Sequence, residues 1–271
     1  MSNLNIKIIT VDSARKPDFL AEHGLSLLIE YNGKKILFDS GQGLAIQHNL
    51  KTLNINTDFI DIFVLSHGHY DHSDGFVHIL DSMKYKPFYL HEKCFTKRIS
   101  SNSNRYTGIS QKLNKENLIK KDILLKFTQN FTKIYDKIYL TGEIPRKYEK
   151  NSGHIMSDNR VDIMIDDMAM AIEYKNKIVI ILGCTHSGIK NTIEYIRNNL
   201  KKPIYAIIGG THLLHKNEDE LIEISQYIDE LDPEYCYFGH CTGIDSYSIL
   251  KKYMKTDINH LYAGDIIDLG L

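Results

Sequence analysis

Cysteine is scarce in this 271-residue chain. Cys94, Cys184, Cys236 and Cys241 are the four present, too few and too dispersed for the disulfide framework of a small secreted domain, and they read as reduced thiols. Long apolar runs are missing too: the longest, Ile178 to Leu182, falls far short of the roughly 20 residues a membrane helix needs. No basic region followed by an apolar stretch opens the chain at Met1-Ser2-Asn3-Leu4-Asn5, so no signal peptide is expected. An excess of one charge is also lacking. Lys plus Arg number 33 against 34 acidic residues, a net charge of −1, which leaves no global field favouring nucleic acid or an anionic membrane. The expectation is a cytoplasmic protein, long enough for a full core in a single domain over 1–271.

What the sequence does have is histidine in one place. Ser66-His67-Gly68-His69-Tyr70-Asp71-His72 follows the apolar run Ile62 to Leu65. Three imidazoles and a carboxylate are the donors a borderline divalent ion such as zinc accepts, and they are costly to gather without one. On an extended loop His67 and His69 point to one side, while Asp71 and His72 lie beyond a turn and can serve a neighbouring position. One segment therefore offers ligands for two ions.

The pattern around it is α/β. Ile6 to Val11, Leu25 to Tyr31 and Lys35 to Phe38 read as strands, with Asn32-Gly33 as a type I′ hairpin turn. Gly43 to Leu53 and Gly75 to Met83 carry helical spacing. The second half reads as strands Val161 to Ile165, Met168 to Tyr174 and Lys177 to Leu182, helix Lys190 to Leu200, strand Ile204 to Ile208, helix Asp219 to Leu231 and strand Tyr235 to Phe238. Three of these strands stop just before a histidine: His186, His212 and His240. Strand-to-helix loops at one edge of a layered fold are where sites are built, and a four-layer αββα sandwich is expected. Residues 95–135 are polar and aperiodic around Ser100-Ser101-Asn102-Ser103-Asn104-Arg105, a solvated excursion or an active-site lid. Asp166 and Asp167 read as turn residues.

Asp39, before the Gly41-Gln42-Gly43 turn, suits either a helix cap or a carboxylate orienting a histidine ligand. His212, in a glycine-flanked turn, suits contact with a bound anion or a metal. The Pro-fixed segment Glu143-Ile144-Pro145-Arg146 can present a guanidinium to an anion. His23, His48, His78, His91, His154, His215 and His260 lack such settings and read as surface or structural residues.

His-x-His-x-Asp-His after a short apolar strand resembles the signature of the metallo-β-lactamase superfamily, and Asp39-Ser40-Gly41 resembles the Asp-Thr-Gly turn that precedes it there. Phe19 to Ser26, Thr141 to Arg146, Gly183 to Gly188, Gly209 to Leu213 and His240 to Gly243 resemble one subgroup, often named for a dihydropterin ribofuranosyl-aminobenzene phosphate synthase. The resemblance implies the metallo-β-lactamase fold, two divalent ions and the ligand set His67, His69, Asp71, His72, His186 and His240, with Asp71 and His186 closest to the chemistry. It also favours a lid at 95–135 and substrate contacts from Glu143, Arg146 and His212. One departure stands out: many superfamily members carry a bridging Asp where this chain has Cys184, which is open to a role as ligand, as support beside the ligands or as an inert buried thiol.

The activity expected is hydrolysis of a small anionic substrate, a phosphoester or phosphodiester, by hydroxide that a metal pair generates by lowering the pKa of water from about 15.7 towards about 7. Zinc is the default ion, with manganese and iron compatible with the same donors. A transferase joining a pterin diphosphate to an aminobenzene ribofuranosyl phosphate, and a non-catalytic metal-dependent sensor, are the alternatives.

Overall fold

A computed structural model describes residues 3–101, 103–148, 154–156 and 158–270. Met1, Ser2 and Asn102 lie outside them, as does the side chain of His154. The chain divides into two compact units: unit 1 is Met1–Thr128, Gly153–Asp166 and Tyr262–Leu271, and unit 2 is Gln129–Ser152 and Asp167–Leu261.

Unit 1 is built on a seven-stranded mixed sheet in the order Ile266–Asp268, Asn5–Thr10, Ser26–Tyr31, Lys34–Phe38, Ile62–Val64, Pro87–Leu90 and Leu124–Phe127. The hairpin between its third and fourth strands turns at Asn32 (φ 49°) and Gly33 (φ 74°), the left-handed pair a type I′ turn requires. From Lys34–Phe38 onward the pairing becomes parallel. Ile62–Val64 is thus a central strand buried along its length, which accounts for its uninterrupted apolar sequence. Its core includes Leu28, Leu37, Phe63, Phe76 and Phe88, and the Phe76 ring lies 5.0 Å from that of Phe88.

Two readings of local structure change here. Residues 75–83 form no α-helix; 3-10 turns at Asp74–His78 and Leu80–Met83 flank Ile79, whose φ of −128° takes the chain off helical geometry. Val161 and Asp162 pair with His154–Ile155 in a separate two-stranded ribbon, and residues 163–165 lie outside any strand. The described part of 95–135 is mostly exposed or half-buried and is anchored by a few buried side chains. Ile109, Leu113, Leu118 and Ile123 are buried in the unit 1 core, Lys115–Lys120 is helical, and Leu124–Phe127 is the edge strand. Irregularly spaced apolar residues anchor such a segment without leaving a periodicity to read.

Unit 2 holds a second seven-stranded mixed sheet, ordered Ile258–His260, Tyr235–Gly239, Ile204–Gly210, Lys177–Leu182, Met170–Tyr174, Ile138–Leu140 and Thr132–Tyr135. Its first four strands run parallel, so their carboxyl ends share one edge. Helix Ile189–Leu200 buries Ile189, Ile193 and Ile196, one face at helical spacing. Helix Glu218–Glu230 begins with a capping box between Asn217 and Glu220. Among the described residues no helix is long and apolar enough to cross a membrane.

Candidate metal centre

In unit 1 the strand Ile62–Val64 delivers Ser66 to His72 to a place where backbone and side chains are pinned from several directions. Asp39, fully buried and left-handed at φ 58°, is the anchor. Its Oδ1 accepts from Ser66 N at 2.7 Å, and its Oδ2 accepts from Ser66 Oγ and stands 2.7 Å from His72 Nδ1. Proton counting then fixes the tautomers. A carboxylate only accepts, so His72 Nδ1 carries its proton and Nε2 presents a lone pair. The single Ser66 hydroxyl proton goes to Asp39, so His67 Nδ1, 2.9 Å from Ser66 Oγ, is the donor in that contact and His67 Nε2 is also a lone pair.

Those nitrogens face other candidate donors. His67 Nε2 is 3.0 Å from His69 Nδ1, the His67 and His72 rings are 4.3 Å apart, and His72 Nε2 is 3.8 Å from Asp71 Oδ2. Imidazoles whose far nitrogens are tied to a carboxylate or hydroxyl, with near nitrogens gathered beside a second carboxylate, fit a divalent ion in donor type and protonation state. Asp39 is therefore the carboxylate that orients a histidine, one of its two expected roles.

The loop is braced by residues that carried no such role in the sequence. Asp166 sits in a turn but is fully buried; its Oδ2 accepts from Gly68 N at 2.8 Å and its Oδ1 from Arg98 at 2.7 Å. Arg98, a buried guanidinium, also donates to the Gly68 carbonyl at 3.1 Å and to Asp162 at 2.6 Å. Burial works against its charge, but Asp166 and Asp162 outweigh that and hold its pKa above the ordinary arginine value. Tyr70 N donates to Thr107 O and Ser110 N to Asp74 Oδ1, so Arg98, Thr107 and Ser110 clamp the histidine loop.

The segment Glu22-His23-Gly24 explains itself in the same way. Glu22 accepts from the N–H groups of Leu44 and Ala45 ahead of helix Ile46–Thr52. Gly24, at φ +135°, lets the Asp71 carbonyl approach where a Cβ would stand only 2.1 Å from its oxygen. His23, read from sequence as a surface or structural histidine, places Nε2 3.4 Å from Asp71 Oδ2 and Nδ1 2.7 Å from Asp12. It is a residue of the site that sequence reasoning missed, and its neighbour Gly24 was the available signal.

Unit 2 gathers its donors differently, from the carboxyl ends of three parallel strands. Lys177–Leu182 leads to Cys184 and His186, Ile204–Gly210 to His212, and Tyr235–Gly239 to His240 and Cys241. Thr185, His212 and His240 are all left-handed, at φ 56°, 52° and 52°, each a strain of about 1–3 kcal/mol that the surrounding structure must hold. Gly210 N donates to Gly183 O at 3.1 Å, Thr211 Oγ1 to Thr242 Oγ1 at 2.9 Å and His212 N to Cys241 Sγ at 3.3 Å. The His212 N–H is therefore directed at a thiol. The His186 and His212 rings lie 4.4 Å apart. Burial pushes the Cys241 thiol up, but its hydrogen bond to Cys184 and the nearby His240 and His212 more than reverse this and hold it well below the usual thiol range. Burial pulls His212 down, and Cys241 raises it above the ordinary histidine value.

Asp167 is the unit 2 counterpart of its neighbour in sequence. It is buried and accepts from Ser187 N at 2.8 Å, bracing the loop that carries His186. Asn191, on helix Ile189–Leu200, accepts from Lys147 N and Tyr148 N and so ties down the loop of the partly buried Glu143 and Arg146. The expected site residues thus fall into sets by unit: His67, His69, Asp71, His72 and Asp39 come together in unit 1, and in unit 2 Cys184 and His212 gather with Cys241, the His186 ring lies beside that of His212 and His240 precedes Cys241 in the chain, with Glu143 and Arg146 on a separate loop.

The sequence profile of the metallo-beta-lactamase superfamily matches residues 21–100. An uncharacterised protein of Methanocaldococcus jannaschii is 35% identical over 97% of this chain and 100% of its own. The 7,8-dihydropterin-6-methyl-4-(beta-D-ribofuranosyl)-aminobenzene-5′-phosphate synthase of the same organism is 29% identical over 97% of this chain and 96% of its own. Among solved structures, Tm1679, a metal-dependent hydrolase of the beta-lactamase superfamily, superposes with a TM-score of 0.84 at 27% identity, covering 97% of this chain and 98% of that one.

Proposed function

Because the chain belongs to the metallo-β-lactamase superfamily and has its α/β fold, we propose that it is a metal-dependent hydrolase acting on a small anionic substrate, a phosphoester or phosphodiester. The observation that carries this reading is the proton accounting around Asp39: His67 and His72 are both held as tautomers whose Nε2 lone pairs face the site, which a solvated polar loop does not require. His67, His69, Asp71 and His72 are the ligands proposed in unit 1, and His186 and His240 those carried by unit 2. Two divalent ions, zinc by default, would supply the Lewis acid and the nucleophile.

The residues of this chain do the rest. Asp39 and Ser66 keep the two imidazoles in register, Arg98 and Asp166 fix the Gly68 backbone, and Asp71 contributes the negative charge that a pair of cations needs. Arg146, on a Pro-fixed loop tied down through Asn191, is the donor proposed for the substrate anion, since a planar guanidinium matches phosphate through two parallel hydrogen bonds.

A second reading is supported by the 29% identity to the synthase across nearly the full length of both chains. In it the same centre would stabilise a diphosphate leaving group as a pterin diphosphate is joined to an aminobenzene ribofuranosyl phosphate. One experiment separates the two. Metal-loaded protein is expected to hold at least two ions per chain by elemental analysis and to cleave a generic phosphodiester without a second substrate, while Asp71→Asn, still folded, loses that activity. A stoichiometry fixed at one, or an Asp71→Asn variant as active and as metal-replete as the parent, defeats the hydrolase site as drawn. Diphosphate released only when both pterin and aminobenzene substrates are present establishes the synthase instead.

A further inference from the structure

Cys241 had no role in the sequence reading, yet it stands at the centre of the unit 2 cluster. Its sulfur accepts from His212 N at 3.3 Å and lies 3.6 Å from the Cys184 carbonyl. The Cys241 sulfur, the Cys184 sulfur and a ring nitrogen of His212 all lie within 4.8 Å of one another. We propose that Cys184, His212 and Cys241 form a thiolate–imidazole site for a thiophilic ion of the zinc class, which differs in donor chemistry from the His/Asp centre.

Two thiolates and an imidazole are donors that select zinc and softer ions over magnesium, calcium or manganese. With Zn–S near 2.3 Å and Zn–N near 2.0 Å, donors around a tetrahedral ion stand about 3.5–3.8 Å apart. The observed spacing thus calls for side-chain adjustments of about 1 Å rather than a rearranged backbone. The backbone is in fact committed to this gathering. Each donor is, or adjoins, one of the left-handed residues Thr185, His212 and His240 at the ends of three adjacent parallel strands. Gly210 keeps the space clear, since a Cβ there would stand 2.7 Å from the Cys241 sulfur and 2.4 Å from the Gly183 carbonyl oxygen. Cys94 and Cys236 are buried in the apolar cores of unit 1 and unit 2; they serve as internal controls.

The test is optical, because thiolate-to-metal charge transfer gives a near-ultraviolet band that imidazole and carboxylate ligands do not. Reduced, chelator-stripped protein is titrated with Co²⁺, and in parallel with Cd²⁺. A charge-transfer band is expected in the parent, in Cys94→Ala, in Cys236→Ala and in Asp71→Asn. It should fall by half or more in both Cys184→Ser and Cys241→Ser, with His212→Ala altering its position. A folded parent that fills with metal but shows no band overturns the proposal. So does a band of undiminished intensity in Cys241→Ser, which would leave Cys184 as the lone thiolate ligand. Should the serine variants misfold by circular dichroism, alkylation of the native parent mapped by mass spectrometry decides. Cd²⁺ should slow labelling of Cys184 and Cys241 together at least tenfold, and equal labelling with and without Cd²⁺ refutes the site. Loss of the Asp71→Asn activity with the band intact would show the two centres to be separate, so either can fail alone.

Discussion

The two units solve the same problem, holding metal-type donors in place, by opposite routes. Unit 1 draws four of them from six consecutive positions, His67 to His72, and spends distant residues on bracing that loop: Asp39, Ser66, Arg98 and Asp166 supply a fully buried set of charges and hydrogen bonds. Unit 2 has no such motif. Its donors come from three strand ends, with Cys184 and Cys241 separated by 57 positions, and they are held by backbone conformation, by hydrogen bonds between neighbouring loops and by a glycine. The lesson is that a local motif needs a tertiary brace to fix its tautomers, whereas a site gathered by a parallel sheet gets its geometry from the sheet and needs mainly space and permitted torsions.

The sharpest way to break this contrast is to remove the brace of unit 1. Arg98→Ala leaves the buried Asp166 and the half-buried Asp162 without their cation, a change that costs about 3–5 kcal/mol when one partner of a buried pair is deleted. Chemical denaturation should show that loss, with hydrogen exchange rising across Gly68 and residues 103–110. If stability falls by less than about 1 kcal/mol, water or a neighbouring group satisfies the carboxylates and the network is not what holds the loop.

A subtler change leaves the loop in place and disturbs only its protons. Asp39→Asn keeps the shape but can offer an N–H where His72 now finds a carboxylate oxygen, so the tautomer presenting Nε2 is no longer fixed. Metal affinity, measured by competition with a chromophoric chelator, should drop about 10–100-fold, the usual cost of losing a partner that orients a ligand. Unchanged affinity would mean that the ion itself selects the tautomer.

In unit 2 the matching change is steric. Gly210→Ala puts a methyl group 2.4 Å from the Gly183 carbonyl oxygen and 2.7 Å from the Cys241 sulfur, so two strand ends must part. A cost of about 1–3 kcal/mol is expected, typical of overpacking. The charge-transfer band should weaken while histidine signals of unit 1 in NMR spectra stay where they are. Shifts confined to unit 1 would reverse the assignment of this glycine to the thiol cluster.

The sequence by itself determined those features whose physics is local. Asn32-Gly33 had to turn because Asn-Gly accepts the two left-handed torsions of a type I′ turn; Ile62 to Leu65 announced a strand because its run is apolar throughout; and His67, His69, Asp71 and His72 could be read as a metal segment because chemistry and spacing coincide within six positions. The helices at 189–200 and 218–230 were legible from one apolar face. Residues 75–83 carried a similar pattern but form 3-10 turns about Ile79. Tertiary structure alone decided the rest. Asp166 lies 98 positions from Gly68 and 68 from Arg98, and nothing near it in sequence distinguishes a buried brace from an ordinary turn aspartate. His23 and Cys241 acquire their neighbours only through folding, one beside Asp71 and the other between Cys184 and His212. The reason is range: torsional preference and apolar periodicity act over a few residues and leave a mark in the local sequence. A buried carboxylate or thiol instead takes its role from whichever distant groups the sheet places within hydrogen-bonding reach.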